Sequence, residues 1–358
     1  MDRRILVTLA AVGLVALAVG APLVIAVRGD EPSLTQVVVA PGHDSFAIVT
    51  RSGGGLADPS LAAGRDDVTR WSAVAAFPWI ERDAFHRDLV RGAAPGSTIA
   101  LADGATLRVP AADHLRVVFV GDTGAGDAAG RVLSEAAAQK PDLVVHLGDV
   151  AYAYGDERVW DGWMGLVASS LPGVPIAYAT GNHDVERGVD AAQMEGLRGA
   201  AAYYSFDAGP VHFVVLDSNH VDDAQARWLD RDLATAQAAD AAWIVPVEHA
   251  PWYSSGTTHG SDVDAQKAFA SLFAKHGVKL AVAGHEHNYE RTTPIAGVTY
   301  VVTGGGGAAL YNDFQSPSPA WSAARHEGHE LVVIDFAKGS ASARVLATDG
   351  SAVDAFTL

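Results

Sequence analysis

From Leu115 onward the chain alternates between short apolar runs and longer mixed stretches. The runs read "LRVVFVGD", "DLVVHLGD", "VPIAYATGN", "VHFVVLDSN", "AWIVPVEH" and "VKLAVAGH". None shows the polar–apolar alternation of a half-solvated strand, and near-continuous apolar strands are what a sheet covered on both faces requires. Between them "AAGRVLSEAAAQK", "DAQARWLDRDLATAQAAD" and "VDAQKAFASLFAKHG" read as helices. This order predicts an α/β domain with a largely parallel sheet. The closing "HELVVIDFAKGSASARVLATDGSAVDAFTL" keeps strand periods and has no helix, which predicts added antiparallel strands.

The chain before this point has a different pattern. "QVVVAPGHDSFAIVT" and "FHRDLV" are short apolar bursts separated by the turn-rich "RSGGG", "APGS" and "ADG". They predict several short strands in a small β-sandwich, which the helix-like "TRWSAVAAFPWIERDAF" does not fit. Arg3 and Arg4 precede an uncharged apolar run from Ile5 to Val27, long enough to cross a hydrocarbon core of about 30 Å. It reads as a signal anchor, or as a signal peptide cut after a small-x-small site such as Ala16-Leu17-Ala18. With the basic residues inside, either version exports the rest, anchored to the cell membrane or secreted. The expected division is 1–31 as that segment, 32–112 as the sandwich and 113–358 as the α/β domain.

Composition narrows the function. Apolar residues make up 49% of the 358, enough for a substantial core. The formal net charge of −17, with 25 Lys plus Arg, disfavours nucleic acid as a general partner. The absence of cysteine excludes disulfides, thiolate metal sites and cysteine nucleophiles.

Five of the apolar runs stop at a potential metal ligand: Asp122, Asp149, Asn182, His249, and His285 with His287. Side chains two apart in an extended chain point the same way, so the two histidines of "AVAGHEHNYER" face one site. Ligands in open α/β sheets gather outside the C-terminal strand ends. Two carboxylates, one amide and three imidazoles suit two first-row ions better than one. Two such ions clamp both oxygens of an in-line phosphoryl displacement.

In order, the motifs are "GDTG", "GDVAY", "GNHD", "EHAPWY" and "GHEH". Together they resemble the calcineurin-like metallophosphoesterases, over most of 113–340, and Tyr152 with the "AGHEHNYER" tail resembles the purple acid phosphatases among them. The resemblance implies a four-layer α/β/β/α sandwich, preceded by a divergent fibronectin-III-like domain. It places Asp122, Asp149, Tyr152 and His287 around Fe(III), the tyrosinate giving colour. Asp149 would bridge to Fe(II), Zn(II) or Mn(II) held by Asn182, His249 and His285. The donor types agree, since phenolate and carboxylate suit a trivalent ion and neutral imidazole and amide a divalent one. The metals would lower the pKa of a bound water and supply hydroxide to attack phosphorus. His183 would contact the phosphoryl group, oriented by Asp184, and His259 would be a substrate-side histidine.

The expected function is exported hydrolysis of small phosphate monoesters with an acidic pH optimum. The alternatives are a phosphodiesterase acting on nucleotides or phospholipid-derived esters, and a binding protein that has lost activity. No ligand position is missing, which speaks against the last. Three further motifs are read as structural. They are Gly124-x-Gly126-x-x-Ala129, which resembles a dinucleotide fingerprint; "ARHEGHE", one position short of a zinc pattern; and "TGGGGAAL", which lacks a P-loop lysine.

Overall fold

A computed structural model describes residues 34–39, 42–43, 45–53, 68–69, 83–91, 93–100, 105–199, 201–311 and 313–358, the side chains from residue 93 onward. The apolar segment 5–27 and most of the helix-like 69–85 lie outside the described residues. Among the described residues no helix is long and apolar enough to cross a membrane.

The chain begins with β1 (Leu34–Val39), β2 (Gly42–His43), β3 (Ser45–Gly53), β4 (Val68–Thr69) and β5 (Asp83–Arg91), then a hairpin of β6 (Thr98–Ala100) and β7 (Thr106–Arg108). There follow β8 (His114–Val120), α1 (Asp127–Ala138), β9 (Leu143–His146), α2 (Glu157–Ser170), β10 (Ile176–Tyr178) and α3 (Gly188–Arg198). The next stretch holds β11 (Tyr204–Ala208), β12 (Val211–Val215), α4 (Asp223–Ala238), β13 (Trp243–Glu248), α5 (Val263–Lys275) and β14 (Leu280–Ala283). The chain closes with β15 (Tyr289–Thr292), β16 (Thr299–Thr303), β17 (Ser322–His326), β18 (Glu330–Ala337), β19 (Ser340–Ala347) and β20 (Ala352–Thr357).

Two mixed sheets result. The first runs β20-β19-β18-β8-β9-β10-β1-β3-β5-β4, with β8, β9, β10 and β1 parallel. The second runs β17-β15-β16-β14-β13-β12-β11-β2, with β12, β13, β14 and β16 parallel. The period of two along each strand sorts its side chains into two cores. In β8, Leu115, Val117 and Phe119 turn toward the second sheet and join Phe206, Phe213, Val245 and Val282. Val118 and Val120 turn the other way, onto Val132 and Leu133 of α1 and Trp160 and Trp163 of α2. From the second sheet, Val214 and Ala281 turn onto Leu229 and Leu233 of α4 and Phe269 and Phe273 of α5. The layers are therefore helix, sheet, sheet, helix, which is why the strands lack polar alternation. Asp156, Asp222 and Asp262 start α2, α4 and α5, each side chain accepting from a backbone N–H of the first turn. Such a cap contributes about 1 kcal/mol.

The upstream strands depart from the expected sandwich. β1 pairs in parallel with β10, β3 and β5 continue that sheet, and β2 pairs with β11 of the other. The described strands of 34–91 thus extend the two main sheets; only the β6–β7 hairpin forms a sheet of its own. The physical reason is edge pairing, since the open edges beside β10 and β11 offer backbone groups that incoming strands satisfy.

Glu330, at the start of β18 and outside the ligand set, gives a stability test. It is buried and accepts from the Thr303 hydroxyl (2.8 Å) and the Gly305 N–H (3.1 Å). Burial pushes its pKa up to about 8. An unfolded glutamate titrates near 4.3, so the folded state keeps a proton through the window between these values. The resulting stability is complete below that window and is lost as pH rises through about 8. Glu330→Gln is expected to make the thermal midpoint fall less steeply between about pH 5 and 8, measured calorimetrically with a chelator present. A midpoint falling as steeply as in the unsubstituted chain would contradict this.

Candidate dinuclear metal centre

The ends of β8, β9, β10, β13 and β14 bring Asp122, Asp149, Asn182, His249 and His285 to one edge of the molecule. Four of the seven expected ligands hold a left-handed backbone that non-glycine residues rarely adopt: Asp122 (φ 59°), Asp149 (φ 52°), Tyr152 (φ 50°) and His285 (φ 71°). Each such residue costs of order 1 kcal/mol, and clustering of this kind marks functional sites. Here the turn swings each side chain off its strand and into the shared edge.

The donors form two groups. In one, the Tyr152 hydroxyl lies 2.8 Å from His287 Nε2 and 3.2 Å from Asp122 Oδ1, and His287 Nε2 lies 3.4 Å from the same oxygen. In the other, His249 Nε2 lies 3.1 Å from Asn182 Oδ1, 3.0 Å from His285 Nδ1 and 3.5 Å from Asp149 Oδ2. Ligand atoms of Asp149, His249 and His285 all fall within 4.8 Å of one another. Asp149 stands between the two groups, because its charge also bears on the Tyr152 hydroxyl and helps to raise that group's pKa.

This donor set fits metal ions. His249 Nδ1 bonds the Leu147 carbonyl (2.9 Å) and His287 Nδ1 bonds the Ala309 carbonyl (2.5 Å). As N–H donors there, both rings turn an Nε2 lone pair inward. Those lone pairs meet oxygens of Asn182, Asp149 and Asp122, so lone pair faces lone pair unless a cation or proton sits between. The charges tell the same story. Burial lowers the pKa of His249, but Asp149 and Asp122 outweigh it and carry the ring up to about 10. Burial would raise Asp149, and His249 and His183 hold it low instead. His285 is driven down to about 2 by burial and by His249, which keeps its ring neutral. Tyr152 is raised by burial, then by Asp122 and Asp149, so only a strong local cation makes it a phenolate. Asp122, Asp149, Tyr152 and His287 would hold one ion, and Asp149, Asn182, His249 and His285 the other.

His183 sits over this edge. Its N–H donates to Asp149 Oδ1 (2.9 Å) and its ring lies 4.9 Å from that of Tyr152. The expected partner Asp184 has another task. Its Oδ2 accepts from the N–H groups of Asp149 (2.8 Å) and Gly181 (2.9 Å), and its Oδ1 from that of Val150 (2.8 Å). Asp184 therefore ties the 149 loop to the 181 loop, and the orienting role is corrected. Its pKa is pushed up to about 7 by burial and then by Asp149. The carboxylate beside His183 is that of Glu186, 3.0 Å from Nδ1 but not aligned to accept from it. His259 does reach the site: its ring lies 4.0 Å from that of His285, and Nε2 is 3.4 Å from the Tyr311 hydroxyl.

Four contributors escaped the sequence reading. Glu286, between the two ligand histidines, accepts from the N–H groups of His259 (2.8 Å) and Gly260 (2.6 Å) and fixes that loop. Tyr311 stacks on His287 at 4.1 Å and 7°. Tyr154 and Glu186 flank His183. The position of Glu286 inside "GHEH" was the one available signal; the others arrive from loops whose course the pattern does not reveal. Trp252, next to the 249 loop in sequence, packs into the helix-side core against Phe273 and Tyr300.

Comparison with known proteins agrees with this geometry. Residues 115–289 match the family model described as calcineurin-like phosphoesterase. Purple acid phosphatase 21 of Arabidopsis thaliana is 30% identical over 258 residues, covering 63% of this chain and 59% of that protein. The Fe(3+)-Zn(2+) purple acid phosphatase 12 of the same plant is 24% identical over 240 residues, covering 54% and 51%. The chain spans about half the length of the curated relatives it matches. Among solved structures, purple acid phosphatase PPD1 from yellow lupin seeds aligns with a TM-score of 0.72 at 20% identity, over 90% of this chain and 73% of that one, a likeness of fold.

Proposed function

We propose, from the premise that residues 115–289 form a calcineurin-like phosphoesterase domain, that the chain is a dinuclear-metal phosphoric ester hydrolase acting on small phosphate monoesters outside the cytoplasm. One observation carries the reading: Asp149 sits within 4.8 Å of the His249 and His285 ligand atoms while its charge also bears on Tyr152 of the other donor group. That is the arrangement two adjacent ions need. Bound there, the ions supply Lewis acidity, neutralising phosphoryl oxygens and making water a stronger nucleophile at neutral pH.

The protein's own side chains complete the site. Asp149 is held from below by Asp184 through backbone N–H groups, so the shared carboxylate is fixed before substrate arrives. His183 is partly open to solvent above that carboxylate, placed to donate a hydrogen bond to a phosphoryl oxygen or a proton to the leaving oxygen. His259 approaches from the other side, on the loop Glu286 anchors. Hard donors around Asp122 and Tyr152 favour Fe(III) in the first position and the nitrogen-rich group favours a divalent ion in the second, as the name of the Fe(3+)-Zn(2+) relative supports. Export rests on the N-terminal pattern of Arg3, Arg4 and the apolar run 5–27.

The test is turnover of an aryl phosphate monoester and of a bis-aryl diester by the full chain, recorded with its visible spectrum. The expected result is monoester turnover with a visible band that Tyr152→Phe removes. A preference for the diester would move the function to phosphodiesterase on the same site.

A further inference from the structure

We infer that Tyr154 and Tyr311 form a leaving-group subsite that selects planar aromatic phosphate esters, aryl or nucleoside, over aliphatic ones. The inference deepens the hydrolase reading and rests on it.

Tyr154 is 54% exposed, among the few large apolar side chains so placed among the described residues. It also holds a left-handed backbone (φ 50°). A non-glycine residue in that region costs of order 1 kcal/mol, and an exposed ring recovers little of it by burial. What the conformation achieves is placement: the ring meets His183 edge-on at 5.5 Å, beside Tyr152 at 6.4 Å. Tyr311 stands across the same edge. Its N–H donates to the His287 carbonyl (3.2 Å), and its ring stacks on His287 and lies 5.5 Å from that of His259. Both tyrosines thus pack on the histidines that would surround the reacting phosphorus.

A cavity of about 660 Å³ opens off this edge, lined by Tyr152, Tyr154, Arg158, His183, His287 and Tyr311. It is large enough for an aryl group or a nucleoside. The cation in its wall is already engaged, because Arg158 donates to Asp156 through Nε (3.0 Å) and Nη2 (2.6 Å). With that charge paired, the described lining of the cavity offers aromatic surface and no second cation beside Arg158. A planar group stacked or set edge-on against these rings gains up to about tenfold in affinity, and a short alkyl group does not reach them.

Calorimetric titration of the metal-loaded full chain with phenylphosphonate and methylphosphonate tests this, since neither is hydrolysed. Phenylphosphonate is expected to bind about fivefold more tightly. Tyr154→Ala and Tyr311→Ala should each bring the ratio near one, the loss falling on phenylphosphonate more than on methylphosphonate. Tyr154→Phe and Tyr311→Phe should keep the preference. A ratio near one in the unsubstituted chain, a ratio unmoved by both alanine variants, or an equal loss of both phosphonates would overturn the subsite. If neither phosphonate binds the unsubstituted chain, the hydrolase reading itself fails and takes the subsite with it.

Discussion

Replacing Asp149 with alanine is expected to abolish turnover, by on the order of 10⁴-fold, and to empty at least one metal position. The size follows from how much one carboxylate does. It lies 3.5 Å from His249 Nε2, adds its charge beside the Tyr152 hydroxyl and accepts the His183 backbone N–H at 2.9 Å. Removing it separates the two donor groups and frees the backbone that carries His183. It also strips the charge that holds His249 up to about 10. Metal binding by the imidazoles alone would be weaker, and two ions side by side would repel without a shared anion. Steady-state assays beside metal analysis check this. An Asp149→Ala chain that keeps two ions and measurable turnover would contradict it.

The second large effect concerns a glycine. Gly181 passes so close to Asp149 that a Cβ there would overlap the carboxylate and the backbone nitrogen of that residue. Neither neighbour yields, because the Asp149 N–H is bonded to Asp184 and the carboxylate is committed to the site. Gly181→Ala must therefore push apart the 149 and 181 loops. The expected cost is about 2–3 kcal/mol of stability, read as a lower thermal midpoint, with a drop in kcat of about 10²-fold or more from misplaced ligands. A variant with an unchanged midpoint and unchanged kcat would show that the two loops are compliant, against the packing described above.

Much of the site could be read from the chain because its chemistry sits at the most regular places. Asp122, Asp149, Asn182, His249 and His285 each follow an apolar run directly, and runs covered on both faces form sheet cores whatever the loops do. Stretches read as helices correspond to α1, α4 and α5, and the closing strands pair antiparallel. What escaped depends on non-local pairing. Strands β1 to β5 carry the same short bursts that a separate sandwich would, and only their pairing with β10 and β11 shows which sheets they join. Asp184 adjoins His183 in sequence, yet its oxygens face the backbone of the 149 loop, because buried N–H groups there need an acceptor. Tyr311 lies more than twenty residues beyond His287 and stacks on it only because its N–H reaches the His287 carbonyl.

Two ions at this edge are what every role above depends on. Their most direct test is the metal content of the full chain, purified without chelator and set against protein concentration by quantitative amino-acid analysis. Two first-row transition ions per chain are expected. One ion or none per chain, unchanged after incubation with iron and zinc, would contradict this.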